Sequence, residues 1–290
     1  MRYKVRHTST LTYASPVSRA RFNLRLKPRL REGQGIESES LVLTPSPALQ
    51  DEQSGPYWVK TTHIGFDEPL KNLEVTSEFA INVVARIAPP SGPSLERVRD
   101  EALEAEDLTD LSPAPYLFAS RIATLSETVT RWASTLLRPD DDIIAAVTHL
   151  MSALHSEFTY APGQTNSRTP PEEAFAARHG VCQDFAHVMI MALRAYGIPA
   201  AYVSGYLLTR PPPGKPKLVG ADAMHAWVDV WCGAELGWIG FDPTNNCVVS
   251  DEHIAIAMGR DYADVSPIDG TFIGSAPQST SSSVDVERVH

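Results

Sequence analysis

Cysteine is scarce in this chain: three residues in 290, at positions 182, 232 and 247. So sparse and odd a count argues against a disulfide framework, and Cys232 and Cys247 read as half-buried structural thiols. Long apolar runs are also missing. None approaches the roughly 18 residues needed to cross a bilayer, so no membrane partner is expected. The opening Met1-Arg2-Tyr3-Lys4-Val5 lacks an apolar signal core, which makes the cytoplasm the expected compartment. No Cys-x-x-Cys or His-Glu-x-x-His spacing occurs, and Arg210-Pro211-Pro212-Pro213-Gly214-Lys215 has neither the spacing nor the following helix of a phosphate loop. No metal or other cofactor is therefore expected. There is no internal repeat.

Acidic residues are absent from the first 31 positions, which hold nine Lys/Arg, leaving 16 basic against 35 acidic residues in the remainder. A basic arm can mark nucleic-acid binding or a surface for an anionic substrate or acidic partner. Here the basic residues alternate with apolar ones, as in Phe22-Asn23-Leu24-Arg25-Leu26-Lys27. That is the period of a strand with one wet face, so a solvated sheet face is preferred and no nucleic-acid partner is expected. The 43% apolar and 21% charged content is that of an ordinary globular protein, long enough for two domains.

Residues 1–88 read as β structure. Tyr3–His7, Phe22–Lys27, Ile36–Thr44, Tyr57–Ile64 and Leu73–Ala88 are runs rich in β-branched and aromatic residues, separated by turn sequences such as Glu32-Gly33-Gln34-Gly35 and Ser54-Gly55-Pro56. Short strands at this spacing suggest a sandwich or small barrel. Pro89-Pro90-Ser91-Gly92-Pro93 forms a linker, giving a β-rich domain over 1–90. A second domain over 91–275 begins with helical patterns, one from Tyr116 to Leu136 and one opened by Pro139-Asp140-Asp141-Asp142. A short helix from Glu172 should end at a glycine cap at His179-Gly180. Helix 181–196, a strand near 200–209, a Pro/Gly-rich loop at 211–220, and strands 224–232 and 238–241 follow. The Ser/Thr-rich stretch 276–290 reads as a flexible tail.

Three punctuated motifs carry chemistry: Gly180-Val181-Cys182-Gln183-Asp184-Phe185-Ala186-His187, then Met224-His225-Ala226-Trp227, then Gly240-Phe241-Asp242-Pro243-Thr244. Cys182 falls in the first turn of its helix, where unpaired N–H groups and the dipole favour a thiolate and can receive an oxyanion. The helix is apolar nearly all round, so it should be central and buried, with Cys182 on the stripe facing its sheet. His225 shares a strand face with Trp227, and Pro243 halts pairing directly after Asp242. A thiol, a base and a carboxylate orienting the base through Nδ1–H are the parts of nucleophilic acyl transfer. Taken singly, each residue has a bland structural reading; their order and contexts favour chemistry. Cys182, Asp184, His187 and His225 could also be metal ligands, but helix positions five apart lie roughly 140° around the axis, so Cys182 and His187 do not face one ion.

These motifs, with Gly197-Ile198-Pro199-Ala200, Val203-Ser204-Gly205-Tyr206, Gly237-Trp238-Ile239 and His253–Val265, closely resemble the bacterial transglutaminase-like superfamily, whose members are often described as transglutaminase-like cysteine proteases. The β-rich start resembles the N-terminal region that accompanies this domain in bacteria. The resemblance implies an α+β fold, a papain-like core with the Cys-bearing helix packed on an antiparallel sheet, behind an all-β sandwich-like domain. It maps nucleophile, base and orienting acid onto Cys182, His225 and Asp242. Loops 161–171 and 210–223 should flank the cleft, with Gly180, Trp227 and Thr165 as expected substrate-binding residues. The expected partner is a peptide or protein substrate. Three readings stay open: hydrolysis of a thioester by water, which is favoured because no amine-binding feature is visible; transfer to an amine, as in a transglutaminase; and a non-catalytic binding module on the same scaffold.

Overall fold

A computed structural model describes residues 1–84, 87–107, 109–209, 220 and 222–289. The N-terminal strands are β1 (Arg2–Val17), β2 (Arg19–Leu24), β3 (Gln34–Thr44), β4 (Leu49–Ser54), β5 (Lys60–Phe66) and β6 (Leu70–Val83). Then come α1 (Leu95–Leu103), α2 (Glu127–Ala133), α3 (Ile143–Glu157), β7 (Thr159–Tyr160), α4 (Pro171–Ala177), β8 (His179–Gly180) and α5 (Cys182–Arg194). The chain closes with β9 (Ala200–Leu207), β10 (Met224–Trp231), β11 (Trp238–Asp242), β12 (Cys247–Val248), β13 (His253–Gly259), α6 (Tyr262–Val265), β14 (Ile268–Ile273) and β15 (Gln278–Val289). The protein is of the α+β class.

Alternation of buried and exposed residues shapes the first two strands. Along β1, Tyr3, Val5, His7, Ser9, Leu11 and Tyr13 face inward while Arg2, Lys4 and Arg6 face out. Two antiparallel sheets, ordered β15-β1-β6-β3 and β14-β2-β5-β4, enclose a core that includes Leu11, Tyr13, Phe22, Leu24, Ile64 and Leu73. Eight of the nine early basic residues are ion-paired, among them Arg2 with Glu37, Arg21 with Asp67, Lys27 with Glu52, Arg29 with Asp110 and Arg31 with Asp229. The acids that were missing from the first 31 positions are thus supplied by the rest of the chain.

The second unit is a five-stranded antiparallel sheet, ordered β12-β11-β10-β9-β13. On one face lies α5, buried throughout from Asp184 to Arg194 and surrounded by α2, α3 and α4. The Arg194 guanidinium donates to the carbonyls of Ala200, Phe118 and Arg260, which satisfies a buried cation with backbone oxygens. The other face meets the sandwich. Trp58 and Trp227 share one cluster there, Tyr206 and Ile254 pack with Tyr3 and Phe79 in another, and the Gln34 amide both donates to and accepts from Ala255.

Several expectations are corrected. The stretch 276–290 is not a flexible tail: residues 278–289 form β15, in continuous register with β1, and Val284 and Val286 are fully buried. With β14 also paired to β2, the two N-terminal sheets each take a strand from beyond residue 267, so the sandwich is not confined to 1–90. The helix expected over 116–136 is only α2, opened by the Ser126 cap. Residues 118–122 are held in an irregular, bent path because Phe118 and Ser120 receive Arg194 and the Ile122 N–H donates to Asp261 at 2.7 Å. Helix α4 ends on Arg178 at φ 55° rather than at Gly180; the Arg178 guanidinium lies 4.1 Å from the Phe175 ring centroid, and that contact offsets part of the strain. Strand β4 gave no apolar signal because all six of its residues are exposed on a sheet edge. The loop expected at 211–220 lies outside the described residues except for Gly220.

Deleting residues 277–290 should therefore lower stability by about 3–6 kcal/mol, from two buried valines alone. Urea denaturation reads this; an unchanged midpoint would return the segment to the status of a tail.

Candidate active site

Helix α5 starts abruptly because its cap is built from inside. The Asp184 carboxylate, three residues into the helix, accepts the Val181 N–H at 2.8 Å and the Thr165 hydroxyl at 2.7 Å. Gly180 makes room for this: a Cβ there would sit 2.5 Å from Asp184 Oδ2. The first helical acceptor, Val181 C=O, takes the N–H groups of Asp184 and Phe185. The N–H groups of Cys182 and Gln183 thus precede the helical ladder, with the Cys182 side chain half-buried beside them.

Opposite Cys182 stands His225, near the start of β10. Its Nε2–H donates to Asp242 Oδ2 at 2.7 Å, and the Cys182 side chain lies close enough to act on the ring's charge. The sequence reading had the carboxylate on Nδ1; the structure puts it on Nε2 and leaves Nδ1 for the thiol. Burial alone would drive off the imidazole proton, but the hydrogen bonds and charges of Asp242 and Cys182 outweigh it and raise His225 to about 10.

Asp242 is fully buried as the last residue of β11 and accepts five hydrogen bonds. Oδ1 takes the backbone N–H of Thr244 (3.0 Å) and Asn245 (3.1 Å). Oδ2 takes His225, the Asn245 side chain at 2.7 Å and His253 Nε2 at 3.1 Å. Burial would raise this carboxyl, yet the bonds from His225, His253 and Asn245 win and hold it well below the usual range. The turn carrying Thr244 and Asn245 is braced from α3, where His155 Nδ1 meets Thr244 O at 3.0 Å and Ser152 bonds Asn246.

His253 and Asn245 have no part in the sequence reading of the site. His253 sits on β13, two strands from β10, and only the sheet order brings it to Asp242. Its Nδ1 accepts the Ser250 N–H at 3.3 Å, which fixes the proton on Nε2 and aims it at the carboxylate. Asn245, three residues past Asp242 in an Asx-type turn, was the more legible of the two. Tyr160 was missed as well. The parallel β7–β8 pair sets it beside Gly180, and its phenol is raised by burial with the charge of Cys182 adding.

The expected substrate-binding residues are placed otherwise. Trp227 is 1% exposed and faces away from α5, edge-on to His253 with ring centroids 5.3 Å apart, so it backs the imidazoles. Gly205 permits this, since a Cβ there would come within 2.6 Å of the Trp227 ring. Gly180 is buried against Asp184, and Thr165 commits its hydroxyl to the same carboxylate. Gly180 and Thr165 support the helix start, while Trp227 supports the sheet and borders a cavity shared with His253 and Asp229.

Among the described residues, His225, Asp242 and His253 form the one cluster with metal-ligand composition. Their geometry is that of a hydrogen-bonded set: both ring nitrogens and an amide already point donors at a single oxygen, leaving it no lone pair to offer an ion.

A helix-borne cysteine facing an imidazole and a buried carboxylate, on a papain-like helix-and-sheet core, is the architecture of a transglutaminase-like fold. The chain belongs to the transglutaminase-like superfamily: residues 130–243 match that family and residues 3–82 match the bacterial transglutaminase-like N-terminal region. An uncharacterized protein of Mycobacterium tuberculosis strain H37Rv is 35% identical over 285 residues, covering 93% of this chain and 87% of that one. A protein-glutamine gamma-glutamyltransferase of Pseudomonas aeruginosa is 34% identical over 128 residues, covering 43% of this chain and 18% of that one. A crystal structure of a proposed cysteine protease from Cytophaga hutchinsonii superposes with a TM-score of 0.74 at 25% identity, covering 99% of this chain and 90% of that one.

Because His225 is raised, its contribution to stability is complete below its ordinary value of 6.5 and is lost as pH climbs through about 10. The lowered Asp242 works the other way: its contribution is present above 3.8 and lost as pH falls below that. Ring NMR of His225 should show a titration midpoint near 10 in the native protein. The midpoint should fall partway in His253→Ala and furthest in Asp242→Asn. Equal midpoints in all three proteins would mean that the carboxylate does not control the imidazole.

Proposed function

We propose that the protein is a cysteine-nucleophile acyl-transfer enzyme that acts on amide or peptide substrates through a thioester, with hydrolysis as the outcome. One observation carries the reading: the Cys182 thiol meets an imidazole whose far nitrogen is fixed on a fully buried carboxylate. His225 takes the thiol proton at Nδ1, and Sγ attacks the substrate carbonyl carbon. The N–H groups of Cys182 and Gln183 receive the oxyanion, and the tetrahedral intermediate collapses as His225 protonates the leaving amine. Water, deprotonated by His225, then attacks the thioester and frees the acid. Asp242 stays ionised throughout, holding the ring and offsetting the imidazolium charge.

Transfer to an amine in place of water is the second reading, and the match to the gamma-glutamyltransferase favours it. The two share every step to the thioester. A binding module would have no use for a carboxylate held by five donors behind an imidazole. We propose Cys182, His225 and Asp242 as catalytic and His253 and Asn245 as positioning residues, with a peptide or protein as substrate.

Iodoacetamide labelling located by peptide mass mapping tests the nucleophile. Cys232 is buried, and Cys247 is pushed up to about 11 by burial, with Asp242 and Glu252 adding, so neither should compete. Cys182 should react at least about tenfold faster than either, and His225→Ala should slow it by about 10²-fold or more. Uniform labelling of the three thiols, or no effect of His225→Ala, would sink the reading. Product release measured with and without an added primary amine then separates hydrolysis from transfer.

A further inference from the structure

Strand β15 is the outermost strand of its sheet, and over residues 278–283 no described strand pairs with its outer edge. The direction of its backbone groups follows from two contacts. The Val284 C=O accepts the Asp222 N–H at 3.1 Å, and the Val286 N–H donates to Asp222 Oδ2 at 2.8 Å, so residues of this parity turn their N–H and C=O away from β1. On the opposite parity, Pro277 O accepts the Ala14 N–H at 3.0 Å across the β1 ladder. The β1–β15 register is unbroken from Gln278 to Val289. Gln278, Thr280 and Ser282 therefore present their backbone donors and acceptors to the open side.

That open side is not bulk surface. The side chains of Thr280, Ser282 and Val284, with His7 and Ser9 of β1, line a cavity of about 370 Å³ whose far wall includes Met224, Tyr262 and Ile268. Met224 directly precedes His225, and Tyr262 packs edge-on against Tyr202, whose buried phenol is close enough to Cys182 to feel its charge. The Asp222–Val284 bridge shows that the edge already pairs with the chain entering β10. Beyond that bridge, no described strand pairs with it. Small hydroxyl side chains at 279–283 let another backbone come close, where bulky or charged ones would block an exposed edge.

We propose that the free edge of β15 at residues 278–283 is the docking rail for the acyl-side segment of an extended peptide substrate, which adds there as a further strand with side chains in the adjoining cavity. The inference rests on the peptide-acyl reading above and assigns a recognition role to a segment whose sequence looks like a tail. Main-chain pairing gives affinity largely independent of sequence, and the cavity beside Met224 gives preference for the side chain that enters it.

The test compares alkylation of Cys182 by randomised dipeptidyl and hexapeptidyl chloromethyl ketones. The hexapeptidyl pool should react about tenfold faster, the worth of one or two retained hydrogen bonds. Thr280→Pro and Ser282→Pro delete outward N–H groups while sparing the β1 ladder, so each should shrink the length advantage to about twofold or less. Iodoacetamide rates and urea midpoints should not change. Should a proline variant unfold, hydrogen exchange in the native protein gives the same answer: Thr280 and Ser282 amides should be protected in the hexapeptidyl adduct and not in the iodoacetamide adduct. The proposal is overturned by a missing length advantage, by one that survives both prolines, or by a dimer that both prolines dissolve while the advantage persists. Unselective iodoacetamide labelling would instead defeat the nucleophile reading and leave the rail to be judged by exchange alone.

Discussion

A single carboxylate oxygen, Asp242 Oδ2, receives a strand imidazole, a second imidazole from a distant strand and a turn amide. A buried, ionised carboxyl group is costly to desolvate, and only this density of donors makes it tolerable. Each donor arrives on a different element: β10, β13 and the turn after β11. The sheet order, the bracing of that turn by α3 and the packing of Trp227 behind both imidazoles can all be read as conditions for keeping the oxygen satisfied. With Asp242 fixed, His225 can hold its proton and turn its remaining nitrogen to Cys182.

The N-terminal sandwich belongs to this arrangement rather than standing apart from it. It covers the sheet face that α5 leaves open, pairs Arg31 with the buried Asp229, and closes over Trp227 and Tyr206. Its own sheets are completed by β14 and β15 from the chain's end. The polypeptide thus leaves the sandwich, builds the helix-and-sheet core, and returns to finish the sandwich. That return puts a hydroxyl-rich strand edge next to the residue preceding His225, a position no linear reading would assign to it.

Much of the site was legible in the sequence. The helix start at Cys182, the alternation of His225 with Trp227 and the stop at Asp242-Pro243 are local signals, and the structure brings the three residues together. The resemblance to the transglutaminase-like superfamily rested on the same motifs. His253 was not legible as a partner because its role depends on a neighbour 11 residues earlier reached across a sheet. Trp227 and Gly180 looked like cleft residues because proximity in sequence to His225 and Cys182 says nothing about which face of the sheet or helix start they occupy. The tail was misread for a related reason: Ser and Thr are as suited to an exposed edge strand as to a disordered end, and only the partner strand β1 distinguishes them.

Local patterning by itself determined the classes of element and the chemistry available: a buried helix opening on a thiol, half-buried strands with one wet face, and a carboxylate at a strand end. Side-chain periodicity and backbone capping act over a few residues, so those features are written in the order of the amino acids. Tertiary structure alone decided which imidazole nitrogen meets the carboxylate, that a second histidine orients it, and that the end of the chain pairs with its beginning. Those outcomes depend on contacts between residues far apart in sequence, where burial of one polar group compels another to arrive and satisfy it.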